Sequence, residues 1–358
     1  MASIFPTLKP GVAYFVEHNQ ERSQIHVGAG AQSVTLFGHN AIYVIPKCNG
    51  QFRLSDICDL SKISTDEVLL ILQPLIEHGL LYLSNRALTV SNLKANSEDI
   101  NNLNARAIGE LNLVSWRGDK DPLFSLVRRT NCQIDIIGSS KIAFNLFSIF
   151  VSSGYIKTKI NYQPREYVGA NLVGETLFSE GDLGQKLKAT VRRKRREIGL
   201  NLAPLIAKGE KGTSELLEEE PALLIFTQNL LPDQIQDLMY SGIAHLQISN
   251  FERGYVEIGP LIIPGQTPCL NCVNNWRSEA RESFEKINIL NRVADPLDIS
   301  AAATAFLAGL IVSLVDNYFA SGSSFLIGSS VVIDLAHPLN YIERFWQPNP
   351  SCGCLELL

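Results

Sequence analysis

The stretch CQIDIIGSSKIAFNLFSIF, residues 132–150, decides the fold of the larger part of this chain. Residues 132–137 have the apolar pattern of a buried strand, and they lead directly into Gly138-Ser139-Ser140 and an apolar helix through Phe150. Nucleotide-binding α/β sheets begin in this order of strand, glycine turn and helix. Only the first glycine of G-x-G-x-x-G is present, and Lys141 stands where backbone would approach a phosphate. The stretch therefore predicts an α/β fold but carries a weak nucleotide signal.

Strand and helix patterns alternate through the rest of the C-terminal region. Leu223–Phe226 is a second buried strand, and the alternation favours a largely parallel sheet covered on both faces. Since domains usually contain roughly 100–200 residues, a chain of 358 residues is expected to form two or three. We predict a module over residues 1–92, a helical linker over 93–128 and an α/β domain over 129–358.

Composition and charge exclude several classes of protein. With 46% hydrophobic residues, 19% charged residues and a net charge of −5, the chain is neither disordered nor a nucleic-acid binder that relies on positive charge. The first residues lack a signal peptide.

The longest apolar stretch, Ile299–Phe319, contains Asp316 and predicts a buried helix rather than a membrane span. The basic run Arg192–Arg196 is interpreted as a solvated helix face, with phosphate contact as the alternative. We expect a cytoplasmic protein with no membrane and no nucleic-acid partner.

Four of the seven cysteines come as two tight pairs. Cys269 and Cys272 form C-x-x-C, and Cys352 and Cys354 form C-x-C. Four thiolates give a closed tetrahedral zinc site, so we predict a structural zinc ion here. A redox-active C-x-x-C and coincidence are the alternatives, although a redox pair does not need the second pair.

The N-terminal region changes from strand patterns to helix patterns. The expected strands are Val12–Val16, Gln24–Val27, Ser33–Phe37, Leu80–Leu83 and Ala87–Val90, and the first two expected helices are Ala41–Ile45 and Leu54–Cys58. A capping box at residues 64–67 opens the third helix, Gly79 ends it and Pro74 should kink it. This order predicts a winged-helix-like module. A DNA-binding winged helix is the alternative, but acidic residues on the third helix disfavour phosphate contact.

Four phrases in this region, LKPGV, IHVGAG, NGQFRLSDI and LIEHGLL, resemble the PqqD-like precursor-recognition modules of peptide natural-product pathways. The resemblance implies that the leader of a precursor peptide adds a strand to an exposed sheet edge, against the third helix. The residues implied in peptide binding are Ser33, Val34, Thr35, Leu36, Phe37, Asp66, Leu69, Leu70 and Gln73.

Three phrases in residues 130–358 resemble the ThiF/MoeB superfamily of ubiquitin-activating-type adenylating enzymes: IDIIGSSKIAFNLF, ANLVGETLFSEGDLGQKLKA and the stretch from LLIFTQN to GPLIIPGQTPCLNC. In that superfamily a glycine turn holds ATP, an acid after the second strand holds the ribose, an arginine contacts phosphates and an aspartate positions magnesium. This chain departs at every point. The degenerate site consists of Gly138 and Ser140 in the turn, Asn161-Tyr162-Gln163 without an acid, Gly174 in place of the arginine and Gln228 in place of the aspartate. ATP is therefore not expected as a cofactor.

The phrase GPLIIPGQTPCLNC and the C-x-C ending resemble the ThiF-like leader-peptide-binding proteins of thiazole/oxazole-modified peptide biosynthesis. The full expectation is a PqqD-like winged-helix module followed by a Rossmann-like ThiF-type α/β domain with structural zinc. The resemblance implies an accessory protein that presents its precursor to a YcaO-type cyclodehydratase acting in trans, and it implies a homodimer. An ATP-dependent ThiF-like enzyme that modifies the peptide itself is the alternative. A second alternative is a winged-helix regulator with a metal-sensing domain.

Overall fold

A computed structural model describes residues 4–18, 23–84, 97–119, 122–162, 167–174, 177–202, 222–228, 230–252, 254–280 and 299–354. The chain forms two compact units, the first made mainly of residues up to Arg128 and the second mainly of residues from Arg129 onward. Each unit has its own hydrophobic core, and each is described by itself.

The first unit contains two small antiparallel sheets. β1 (Phe5–Leu8) pairs with β5 (Leu81–Ser84), while β2 (Ala13–His18), β3 (Ser23–Ala29) and β4 (Gln32–Phe37) lie side by side in that order. A further strand predicted after β5, Ala87–Val90, lies outside the described residues. β1 was not predicted because Pro6 lacks a backbone N–H and weakens the pattern of a strand.

Three helices contribute to the core of the first unit: α1 (His39–Val44), α2 (Leu54–Ser61) and α3 (Thr65–Glu77). As predicted, Ser64 caps α3, since its side chain accepts a hydrogen bond from the Glu67 backbone N–H at 3.3 Å. Pro74 lies inside the same helix. The predicted linker contains two helices, α4 (Ser97–Arg117) and α5 (Pro122–Arg128).

A seven-stranded mixed sheet forms the centre of the second unit. Its strands are β6 (Ile134–Ile137), β7 (Lys159–Asn161), β8 (Leu223–Phe226), β9 (Ala244–Glu252), β10 (Tyr255–Ile262), β11 (Ser329–Asp334) and β12 (Tyr341–Phe345), in the order β12-β11-β10-β9-β8-β6-β7. The four strands β7, β6, β8 and β9 are parallel, and the pairs from β9 to β12 are antiparallel. The α/β class predicted from residues 132–150 is confirmed.

In the sequence, helices of the second unit alternate with these strands. They are α6 (Lys141–Ser152), α7 (Leu187–Ile198), α8 (Pro232–Ser241), α9 (Leu270–Ala280) and α10 (Ala301–Ser321). α10 is long and apolar enough to span a membrane, by length and composition only, and 44% of its most apolar window is buried inside the protein. It packs against α6, and Leu307, Ile311 and Val315 belong to the main core. This packing agrees with the prediction of a buried helix.

A buried ion pair ties α10 to the start of the second unit. Arg129 Nη2 lies 2.8 Å from Asp316 Oδ2, and both side chains are almost fully buried. The hydroxyl of Tyr155 donates to the same carboxylate, and the Arg129 guanidinium lies over the Tyr155 ring. Asp316, the charge that argued against a membrane span, is thus part of the packing of the core.

Candidate functional site

The predicted peptide edge is β4, which pairs only with β3 among the described residues. Pairs along an antiparallel ladder alternate between hydrogen-bonded and non-hydrogen-bonded. The Gly38 N–H donates to the Ser23 carbonyl at 3.0 Å, which makes that pair hydrogen-bonded. Counting along the register, Leu36 and Val34 also bond to β3, whereas the pairs made by Ser33, Thr35 and Phe37 do not. The backbone N–H and C=O groups of Ser33, Thr35 and Phe37 therefore point to the free edge.

Helix α3 packs beside β4 and contributes the rest of the predicted groove. Asp66, Leu70 and Gln73 are exposed, and Leu69 is half-buried. Leu70 is 69% exposed and Phe37 on β4 is 65% exposed, so two large apolar side chains face solvent on the neighbouring elements. Gln73 donates to Glu77 at 2.8 Å. The structure thus brings the two predicted halves of the peptide site next to each other.

A cross-strand network on the outer face of this sheet was missed by the sequence reading. The His26 ring bonds to Thr35 Oγ1 at 2.9 Å and to Glu17 Oε2 at 3.2 Å, and it stacks on Phe15 with ring centroids 4.5 Å apart. The network joins β2, β3 and β4 on the face opposite the core residues Ile25 and Val27, because His26 lies between them on β3. The period-two alternation of a strand could have predicted that these residues share one face. It could not have predicted which of them contact one another.

The residues predicted to form a degenerate nucleotide site include Gly138 and Ser140, which lie where the strand order reverses. β7 and β8 flank β6 on opposite sides, so the carboxyl ends of β6 and β8 form the crevice in which α/β folds bind ligands. Gly138 follows β6 and Thr227 follows β8. Ser140 caps α6 by accepting from the Ala143 N–H at 3.4 Å, and its hydroxyl donates to Thr227 Oγ1 at 3.3 Å. Neutral side chains of the protein thus bond to one another at the position expected for phosphates.

The other two residues of the degenerate site contribute no charge. Gln228 is exposed directly after Thr227. Gly174 lies in a turn with φ of +87°, where its N–H donates to the Phe178 carbonyl at 3.2 Å. Among the described residues no hydrogen bond joins Gly174 to the Gly138 turn. The structure places Gly138, Ser140 and Gln228 after the carboxyl ends of β6 and β8, and Gly174 in the turn that bonds to Phe178.

The basic run on α7 is matched inside the second unit. Lys194 Nζ lies 3.1 Å from Asp182 Oδ2, Arg193 contacts the same carboxylate, and Arg195 donates to the Thr158 carbonyl. Burial raises the pKa of Asp182, but hydrogen bonds from Ser179 and from these two basic side chains outweigh it and hold the pKa well below its usual range. This pairing favours a structural role over phosphate contact for Arg193, Lys194 and Arg195, which are half-buried. The predicted solvated face is therefore limited to Arg192 and Arg196, which are exposed.

All four cysteines of the two tight pairs converge at one point. Cys269 lies just before α9, and Cys272 lies in the first turn of that helix. Cys352 and Cys354 follow β12. The Sγ atoms lie within 4.8 Å of one another. Sγ of Cys269 is 3.9 Å from that of Cys272 and 3.4 Å from that of Cys352, and the sulfurs of Cys272 and Cys354 are 3.4 Å apart. These separations exclude disulfides, whose sulfur–sulfur bonds are about 2.05 Å long.

The sulfur positions fit a tetrahedral zinc ion. Zinc–sulfur bonds of about 2.3 Å at the corners of a tetrahedron place neighbouring sulfurs about 3.8 Å apart. The hydrogen bond from Cys269, together with a bond from the Asn349 backbone N–H, lowers the pKa of Cys272 to about 5 against the opposing effect of burial. Four cysteine sulfurs this close together are a donor set that could hold a metal ion such as zinc.

Known proteins support the fold. No protein-family model matches the sequence, and no curated protein matches it. Among solved structures, E. coli MccB with AMPCPP and MccA has a TM-score of 0.60 at 16% identity, with 98% of this chain and 99% of that chain covered. E. coli MccB with ATP has a TM-score of 0.59 at the same identity and coverage. The heterocyclase TruD has a TM-score of 0.54 at 12% identity, covering 98% of this chain and 43% of that chain. The chain therefore shares its fold with MccB.

Proposed function

We propose that this protein binds the leader of a ribosomally made precursor peptide and presents the peptide to a separate YcaO-type cyclodehydratase. The observation that carries the proposal is the free edge of β4. Three residues, Ser33, Thr35 and Phe37, direct backbone donors and acceptors away from β3. An extended peptide can pair with those groups, and the main-chain bonds would supply affinity independent of its side chains.

Side chains beside the edge would supply the register. A bound strand places alternate side chains on opposite faces, so every second residue of the leader would face α3. Leu70 and half-buried Leu69 offer apolar contact there, while Asp66 and Glu77 make that helix acidic. Because α3 contains no lysine or arginine, we expect a leader that combines apolar residues with basic ones. Residues 1–92 would act as the reader module.

The α/β unit is proposed to be a scaffold rather than an adenylating enzyme. Adenylyl and phosphoryl transfer depend on positioned positive charge and metal, and one arginine can contribute about 10³–10⁵ in rate. Here the corresponding positions are Gly174 and Gln228, and the crevice residues Ser140 and Thr227 bond to each other. The loss of both charges leaves little stabilisation for a transition state of this kind.

The fold neighbours support a role in peptide modification. MccB is the microcin C7 biosynthetic enzyme solved with N-formylated MccA, and TruD is a heterocyclase. They also favour the second candidate, an ATP-dependent enzyme that modifies the precursor itself, because MccB was solved with ATP and matches this chain over nearly its full length. Under either candidate the four cysteines would hold a structural zinc ion that joins the segment after β12 to α9. A homodimer is proposed on the resemblance alone.

Binding and mass measurements on the purified chain separate the candidates. A synthetic leader and ATP–Mg²⁺ are each titrated into the protein by calorimetry, and the full precursor is incubated with protein and ATP before mass spectrometry. We expect low-micromolar leader binding, no heat from ATP and an unchanged precursor mass. A nucleotide-dependent mass change caused by this protein alone would establish the enzyme instead. Failure to bind the leader, combined with tight binding of duplex DNA, would support the regulator.

A further inference from the structure

Residues Trp346–Ser351, here called the bridging segment, connect β12 to the second cysteine pair and contact α9 repeatedly. The Trp276 indole N–H donates to the Gln347 carbonyl at 2.9 Å, and the Arg277 guanidinium lies 5.1 Å from the centroid of the Trp346 ring. α9 carries the first cysteine pair at its start. The bridging segment therefore fastens the two halves of the cysteine cluster together through groups other than sulfur.

Asn349 is the central residue of the bridging segment. It is 4% exposed. Its Nδ2 donates to Glu279 Oε1 at 3.1 Å, and its Oδ1 accepts from the Ser351 N–H at 3.1 Å and from the Ser351 hydroxyl at 2.5 Å. A buried asparagine whose side-chain oxygen and nitrogen both have partners holds one orientation, because each lost bond would leave a desolvated polar atom.

The backbone of Asn349 reaches one cysteine of each pair. Its N–H hydrogen-bonds to Cys272, and its carbonyl accepts from the Cys352 N–H at 3.0 Å. Through its bonds to Glu279 on α9 and to Ser351, the Asn349 side chain restrains the turn that leads into Cys352.

We propose that Asn349, held by Glu279, is a positioning residue that sets how tightly the four cysteines retain a tetrahedral metal ion. This inference rests on the metal centre proposed above. Groups outside the ligand set orient the ligands, and removing one typically lowers metal affinity about 10–100-fold. Asn349→Ala removes three hydrogen bonds of the side chain and leaves all four sulfur ligands in place.

The test measures metal affinity and ligand geometry on the full-length chain. Wild type, Asn349→Ala, Glu279→Ala and Glu279→Gln are stripped of metal, titrated with Zn²⁺ against a chromogenic chelator, and titrated with Co²⁺ to record the thiolate charge-transfer band. Asn317→Ala, on an exposed position of α10, is the matched control. Thermal unfolding of each metal-free form reports stability separately from affinity.

We expect Asn349→Ala to weaken Zn²⁺ binding about 10–100-fold, with a smaller loss for Glu279→Ala and recovery in Glu279→Gln, which keeps an acceptor oxygen for Asn349. Asn317→Ala should match wild type. Wild-type affinity in both Asn349→Ala and Glu279→Ala overturns the role of Asn349 while leaving the metal centre intact. A wild-type protein that binds neither ion overturns the metal centre itself. If Asn349→Ala does not fold, the exposed Glu279 variants decide the question, and equal affinities for Ala and Gln there count against the proposal.

Discussion

Replacing Thr35 by proline should weaken leader binding at least tenfold without unfolding the sheet of the first unit. Thr35 is the middle of the three β4 residues whose backbone groups point to the free edge. Proline has no N–H and fixes φ near −65°. The substitution therefore removes one outward donor while sparing the bonds that Val34 and Leu36 make to β3.

The expected magnitude follows from one lost hydrogen bond. A backbone bond contributes about 0.5–1.5 kcal/mol net, and leaving the acceptor on the peptide buried without a partner costs about 1–3 kcal/mol. Since each 1.4 kcal/mol is about tenfold in the dissociation constant, the loss should lie between about tenfold and 100-fold. The proline ring also blocks close approach of the incoming strand.

Two control variants separate the backbone from the side chain and from the fold. Thr35→Val keeps the N–H but removes the hydroxyl that bonds to His26, so it should bind within about twofold of wild type if the edge supplies the affinity. Leu36→Pro removes a donor that points to β3, so it should disrupt the hairpin itself. Fluorescence anisotropy with a labelled synthetic leader measures affinity, and circular dichroism and thermal unfolding check the fold.

The reasoning is refuted if Thr35→Pro folds normally and binds the leader as tightly as wild type. It is equally refuted if Thr35→Val loses as much affinity as Thr35→Pro, because the hydroxyl rather than the edge would then carry the effect. A leader N-methylated at successive positions gives the complementary measurement. Affinity should fall at alternate residues only, in step with the outward groups on β4.

Three further outcomes are expected. The Cys352→Ser variant should lose stoichiometric zinc and melt at a lower temperature, because metal binding contributes to folding. The control variant Cys58→Ser should keep its zinc. Metal analysis and calorimetry check both variants. Asp316→Ala should lower the free energy of unfolding by about 3–5 kcal/mol, because it removes the carboxylate that forms an ion pair with the buried Arg129 guanidinium; urea titration measures this. The depressed pKa of Asp182 gives stability that is present above about pH 4 and lost as the pH falls further. Asp182→Asn should therefore be less stable at neutral pH and lose less on acidification, as unfolding free energies at pH 7 and pH 3 will show.

Most of the fold could be predicted because its signals are local. The strand at residues 134–137, the turn at Gly138 and helix α6 follow one another without interruption, and their periodicity changes at the glycine. The Ser64 cap of α3 and the apolar run of β8 are equally local. In each case, the residues that determine the element lie within a few positions of one another along the chain.

Features that depend on distant residues could not be predicted from the sequence. β1 forms a strand because it pairs with β5, more than 70 residues later. The outward direction of Thr35 depends on the β3–β4 register, which becomes visible only through the Ser23–Gly38 pair. Asn349 has no sequence motif around it. Its backbone reaches Cys272 and Cys352 because the segment that contains it contacts α9. The cysteine cluster could be predicted because C-x-x-C and C-x-C are themselves short patterns.

Gly138 shows why a remnant of a nucleotide motif does not by itself indicate nucleotide binding. Its φ of +146° is a conformation that other residues rarely adopt, and a Cβ added there would lie 2.0 Å from Thr227 Oγ1. Packing between the ends of β6 and β8 therefore requires glycine at this position whether or not a phosphate ever approaches. The residues that only a nucleotide would require are the charged ones, and Gly174 and Gln228 stand in their place. A scaffold that had lost adenylation would be expected to keep the glycine needed for packing and to lose those charges.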